Sequence, residues 1–247
     1  MNIFITGGSS GMGLETAKIL LRDGHQVGVC SFQPYEQVKE ELPTQIKYYQ
    51  ANVCDREKMI EVIHQFTKDA GSLDTIFANA GINHPKQSVP DWEIAERVID
   101  VNIKGVLNTL APAIDIMKQQ KSGHIVTISS ISAFSGLPGM SVYGGSKAFV
   151  KYFSESLGVD LYQFGIKVTT LAPGFVLTPL TESNSHKMPF MIQQAQAGEE
   201  IVKAIYNQKR FHIFPKPFKF LAKLLHFLPR WIYQIIMRKD LLKLRQS

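Results

Sequence analysis

The 247-residue sequence predicts an α/β fold, a doubly wound parallel sheet of about seven strands with helices on both faces. Short apolar runs alternate with helical patterns along most of the chain, which argues for a covered parallel sheet. A glycine loop, Thr6-Gly7-Gly8-Ser9-Ser10-Gly11-Met12-Gly13, follows the first of those runs directly. The length suits one large core, and 45% apolar with 19% charged residues is ordinary for a globule.

In order, Ile3–Thr6 reads as the first strand and Gly11–Asp23 as a helix. Gln26–Ser31 and Ile46–Gln50 are the second and third strands. The spacing of Met59, Val62, Ile63 and Phe66 marks a helix before the fourth strand, Asp74–Ala78. Helical stretches Pro90–Asp100 and Ile103–Gln120 precede His124–Ser129, the fifth strand. A long helix, Val142–Phe164, leads to Lys167–Leu171, and Phe211–Phe214 is a candidate seventh strand. The chain reads as a single domain, 1–247. Ligands of such sheets bind beyond the C-terminal strand ends, and each motif below falls at such an end or on the helix beside it.

In the glycine loop, Gly7, Gly11 and Gly13 allow a tight turn and close backbone approach to a pyrophosphate, which the following helix N-terminus favours. Strand before and helix after supply the required context. Tyr143 and Lys147 are four residues apart and share a helix face, where an ammonium would lower the phenol's pKa and suit it to proton transfer. Three serines, Ser129, Ser130 and Ser132, lie close together ahead of Tyr143, and local chemistry does not choose among them.

These motifs resemble the short-chain dehydrogenase/reductase family, in its compact single-domain branch, over about residues 2–180. The resemblance rests on Thr6–Gly13, Asn79-Ala80-Gly81, Asn102, Ser130, Tyr143 with Lys147, and Pro173-Gly174 with Thr178. It implies a Rossmann-like fold and an oxidoreductase transferring hydride between a nicotinamide and a carbonyl or alcohol. Tyr143 would be the general acid/base, Ser130 would bind the carbonyl oxygen, and Lys147 would hold the nicotinamide ribose. Asn102 would support a water linking Lys147 to solvent. Implied cofactor contacts are Thr6, Gly7, Ser9, Ser10, Gly11, Met12, Gly13, Ser31, Phe32, Asn52, Val53, Asn79, Ala80, Gly81, Pro173, Gly174, Val176 and Thr178, with Tyr143 and Lys147. Ser31 stands where members using NAD usually carry an acid, and Phe32 where members using NADP often carry Arg. Without a carboxylate to repel a 2′-phosphate, NADP is favoured over NAD. A cofactor-binding regulatory or scaffold protein without turnover is the alternative reading.

The region 180–198 reads as a substrate lid, and Met188, Phe190 and Met191 with Phe134, Leu137, Met140 and Phe175 suggest an apolar pocket for a lipophilic substrate. Residues 216–247 form a basic amphipathic extension. From Ile201 onward the sequence carries 11 Lys and Arg against one acid, Asp240, although the whole chain is only +6. Such a segment can cover the cleft, touch a membrane interface or join subunits. Its cations are interleaved with apolar residues, which argues against nucleic acid.

Cys30 and Cys54 read as small buried or half-buried thiols of a reducing compartment, and the seven histidines lack metal-ligand spacing, so no metal is expected. No signal peptide or bilayer-spanning run is expected, which suggests a cytoplasmic protein, or one peripheral to the inner face of a membrane. The resemblance implies a homodimer through the helices around Ile103–Gln120 and Val142–Phe164.

Overall fold

The computed structural model describes residues 1–83, 91–178, 181, 188–227, 229, 231–235 and 237–238, the side chains of 221 and 223–227 excepted. Residues 180 and 182–187 of the expected lid and the tail beyond 238 therefore lie outside the described residues, as does much of the amphipathic pattern at 221–230.

Seven parallel strands form one sheet in the order β3-β2-β1-β4-β5-β6-β9. They are β1 (Asn2–Thr6), β2 (Gln26–Ser31), β3 (Lys47–Gln50), β4 (Thr75–Ala78), β5 (Gly123–Ile128), β6 (Ile166–Pro173) and β9 (Phe211–Phe214). The seventh strand falls where the sequence places it. A small separate pair, β7 (Val176–Leu177) and β8 (Ile192–Gln193), was not expected. The chain reverses direction across the sheet between β1 and β4, and this opens a crevice at their C-terminal ends.

Strand alternation divides the core. Phe4 and Cys30 face one side, packed against Met59, Ile63 and Phe66 of α3 (Arg56–Ala70) and Leu110 of α5 (Gly105–Gln120). Ile3, Ile5 and Val29 face the other, against Leu14, Ala17 and Leu20 of α1 (Gly11–Arg22). Between them lie a short α2 (Tyr35–Val38) and α4 (Trp92–Ile99), followed by α6 (Ser141–Asp160).

Three local expectations need correction. Residues 194–198, expected as part of a loosely patterned segment, belong instead to a helix, α7 (Gln194–Tyr206), that packs on α1 through buried Ala197, Gly198, Ile201 and Ile205. A reciprocal capping box, Gln193 with Gln196, starts it. Second, α4 and α5 are continuous through a π-helical turn, Asp100–Lys104, that carries Asn102. Third, Cys54 is exposed, whereas Cys30 is buried, and burial pushes its thiol up to about 12.

His124 of β5 is buried, with Nε2 2.7 Å from Thr169 Oγ1, and desolvation, with Lys167 adding to it, holds its pKa down to about 4. Its unfolded value is near 6.5, so below that pH the unfolded chain takes up a proton that the native state refuses. Stability should be full above pH 6.5 and fall toward pH 4, by about 3 kcal/mol. Urea unfolding across this range should show the slope, and His124→Gln should flatten it. An equal slope in both proteins would assign it to other groups.

Candidate active site

The glycine loop is held from three directions. Gly7 and Gly11 have φ of +63° and +56°, which glycine adopts without strain. Gly7 N–H donates to the Cys30 carbonyl at 2.8 Å. The Asn79 amide donates to the carbonyls of Thr6 (3.0 Å) and Gly7 (2.9 Å). A Cβ on Gly7 would lie 2.9 Å from Ala80 Cα, and one on Gly13 2.6 Å from Asn79 Nδ2. Thr6 has a scaffolding part here, since its Oγ1 accepts from the Asn79 (3.1 Å) and Ala80 (3.2 Å) N–H groups. Ser10 is exposed at the N-cap of α1, directly beside the loop. The loop thus leaves space that only a glycine backbone can border, which fits an extended phosphate-bearing cofactor.

At the end of β2, buried Ser9 and Ser31 each place Oγ 3.4 Å from Gln33 Oε1. Phe32 is exposed beside them. Gln33 was not among the expected site residues, and no spacing rule pointed to it. Asn52 Oδ1 accepts from Cys54 N–H at 3.0 Å, and Val53 is buried against Gly105.

One cleft connects Met12, Asn79 and Gly81 with Ser130, Tyr143 and Lys147, and with Gly174, Val176 and Thr178 beyond β6. Residues from five separate stretches of chain thereby share a single space. Within it, Lys147 is buried and its Nζ donates to the Ile128 carbonyl at 3.1 Å, standing 5.8 Å from the centre of the Tyr143 ring. Burial lowers its pKa to about 8. The phenol differs from expectation. Burial raises the Tyr143 pKa, and the hydrogen bond with Ser130 offsets this in part. Lys147 Nζ lies toward the ring and a backbone carbonyl, and burial is the larger influence on the phenol.

The serines separate by their partners. Ser129 Oγ donates to the Lys147 carbonyl at 2.8 Å and pins α6 to β5. Ser132 Oγ is buried without a hydrogen-bond partner. Ser130 is the serine beside the phenol, and its Oγ also accepts from Ser132 N–H at 3.1 Å. Asn102 is fully buried, accepting from Ile82 N–H (2.8 Å) and donating to the Ile82 carbonyl (2.9 Å) and Ser146 Oγ (3.0 Å). It joins the π-helical turn, the stretch after β4 and α6. Ile82, Ile128 and Ser146 were not expected, because two of them act through backbone atoms that no side-chain motif reports.

A parallel sheet with a glycine-bordered crevice and a Tyr-Lys-Ser cluster defines a dinucleotide-dependent oxidoreductase. The family described as short chain dehydrogenase matches residues 1–189, and this chain belongs to it. An uncharacterized oxidoreductase of Myxococcus xanthus is 32% identical over 242 residues, 95% of each chain. The 3-oxoacyl-(acyl-carrier-protein) reductase FabG of Thermotoga maritima is 33% identical over 192 residues, 74% of this chain and 77% of its own. Among solved structures, ElxO with NADP bound superposes with a TM-score of 0.77 at 26% identity, over 86% of this chain and 95% of that one. The 3-ketoacyl-(acyl-carrier-protein) reductase of Brucella melitensis complexed with NADH gives 0.78 at 22% identity, over 85% and 94%, and shares the fold.

Proposed function

We infer that the protein reduces a carbonyl, or oxidises the corresponding alcohol, on an apolar small molecule with NADP, or less favourably NAD. The single observation that carries this reading is the shared cleft of Ser130, Tyr143 and Lys147 beside the glycine loop. The cofactor would supply or accept hydride. Gly7, Gly11, Met12 and Gly13 would border its phosphates, with Asn79, Gly81, Lys147, Pro173, Gly174, Val176 and Thr178 nearer the reacting end. Tyr143 would give its phenolic proton to the carbonyl oxygen in reduction and recover one from solvent afterwards. Its raised pKa keeps it protonated at neutral pH, as a donor must be. Ser130 would hold the same oxygen as a preorganised donor. Asn102 is read as a positioning residue.

Phe175 and Phe190 meet the ring of Phe218 edge-on, with centroids 5.7 and 6.0 Å away, and this supports an apolar substrate side. Phe134 packs instead against Phe211, 5.9 Å away, with Lys151 over its ring. The exposed Leu107 of α5 and Phe149, Tyr152 and Val159 of α6 support a homodimer through those helices.

NADPH and NADH oxidation over a panel of apolar ketones and aldehydes tests the reading. Turnover with NADPH above NADH is expected, because the Ser9, Ser31 and Gln33 cluster presents no carboxylate to a 2′-phosphate. A clear NADH preference would overturn the cofactor choice. Binding of both cofactors with no turnover over the panel would count against the activity.

A further inference from the structure

The C-terminal extension has two faces, and the cleft engages only one. Helix α8 (Lys216–Phe227) buries Phe218 and Ala222, and Phe218 fills the space beside Gly174, a cleft residue. The next helical segment, 231–235, is anchored by Tyr233, which is buried and whose hydroxyl donates to the Gly136 carbonyl. Gly136 belongs to the loop between Ser130 and Tyr143. The extension is thus fastened to both sides of the cleft, at β6 and at that loop.

The opposite face is apolar and exposed. Phe220 follows Phe218 by two residues, about 200° around the helix, and is 74% exposed. Trp231 and Ile235 stand one turn apart on the side away from Tyr233, 66% and 50% exposed. Lys216, Lys219 and Arg238 are exposed among them. From Lys209 to Arg238 the sequence contains seven Lys and Arg and no acid. Cations interleaved with Trp, Phe and Ile match a surface that offers negative charge above an apolar layer. An anionic bilayer does this without needing a shaped pocket. A nucleic acid would leave the apolar groups in water.

We propose that this outer face docks on an anionic lipid bilayer, seating Phe220, Trp231 and Ile235 at the headgroup boundary with Lys216, Lys219 and Arg238 against lipid phosphates. Docking is peripheral, since among the described residues no helix is long and apolar enough to cross a membrane. It places the cleft cover at the edge of an apolar phase.

The test is flotation of the full chain with vesicles of phosphatidylcholine alone, or of phosphatidylcholine and phosphatidylglycerol. Each cation near the surface contributes roughly fivefold, so at least about a tenfold preference for the anionic vesicles is expected. High salt should weaken it. Phe220→Ser with Trp231→Ser, and separately Lys216→Glu with Lys219→Glu, should abolish flotation while thermal melting and NADPH binding stay unchanged. Should the serine variant misfold, Trp231 emission in a Trp92→Phe protein serves instead, and it should shift to the blue only with anionic vesicles. Equal flotation with both vesicle types, flotation that survives the variants, or an unmoved Trp231 emission overturns the proposal. So does light scattering in which the wild type is a dimer that these variants split, without vesicle binding, since a second copy would then cover the face.

Discussion

Tyr143→Phe is expected to lower turnover about a hundred- to ten-thousand-fold, the usual contribution of a positioned general acid. The variant removes one oxygen and keeps the ring, so the packing of α6 should survive. The Tyr143 carbonyl, which accepts from Ser146 Oγ at 2.7 Å, is untouched. Cofactor affinity should change little, and fluorescence titration with NADPH checks this beside the rate measurement. Activity within a few-fold of wild type would remove Tyr143 from the chemistry. The pH profile adds a second reading. Lys147 loses its charge through about pH 8, whereas the Tyr143 proton is held to higher pH. Reductive kcat/KM in the free enzyme should therefore decline above about pH 8 from loss of the ammonium, and Lys147→Met should lack that limb.

Asn102→Ala is expected to destabilise the protein by about 2–5 kcal/mol, because it strips partners from buried groups rather than from solvated ones. Ile82 loses the partner of both its N–H and its carbonyl, and Ser146 Oγ loses a donor. Urea unfolding at neutral pH measures the cost. Turnover should fall as well, because Ser146 precedes Lys147 on α6 and Ile82 follows Gly81, both beside the cleft. A loss of less than about 1 kcal/mol would mean that water replaces the amide, and the positioning role would fail. The family resemblance assigns Asn102 to a water relay. The hydrogen bonds add a mechanical role, as a clamp at the turn that joins α4 to α5.

The legible parts of the protein were those written in local pattern. Apolar runs and helical spacings located all seven strands of the main sheet and most helices, because each element must bury one face and its period is set by its own backbone. Helix α7 was missed, although Gln193, Gln196 and the Ala197, Ile201, Ile205 spacing marked it. The polar residues before it drew its first turn into the lid. Small β7 and β8 left no trace, since two residues carry no measurable alternation.

The same division runs through the site. Spacing singled out Tyr143, Lys147 and the glycine loop as candidates, because backbone geometry sets which side chains a loop or helix can present together, and the family resemblance added Ser130. Tertiary structure decided their company. Burial raised the phenol and lowered the ammonium, and Lys147 turned to the Ile128 carbonyl, which lies on a strand far from it in sequence. It also decided the use of the C-terminal extension, whose amphipathic pattern admits a cleft cover, a membrane contact or a subunit contact. Phe218 and Tyr233 face inward because Gly174 and the Gly136 carbonyl lie there to receive them, and those positions exist only once the sheet has closed.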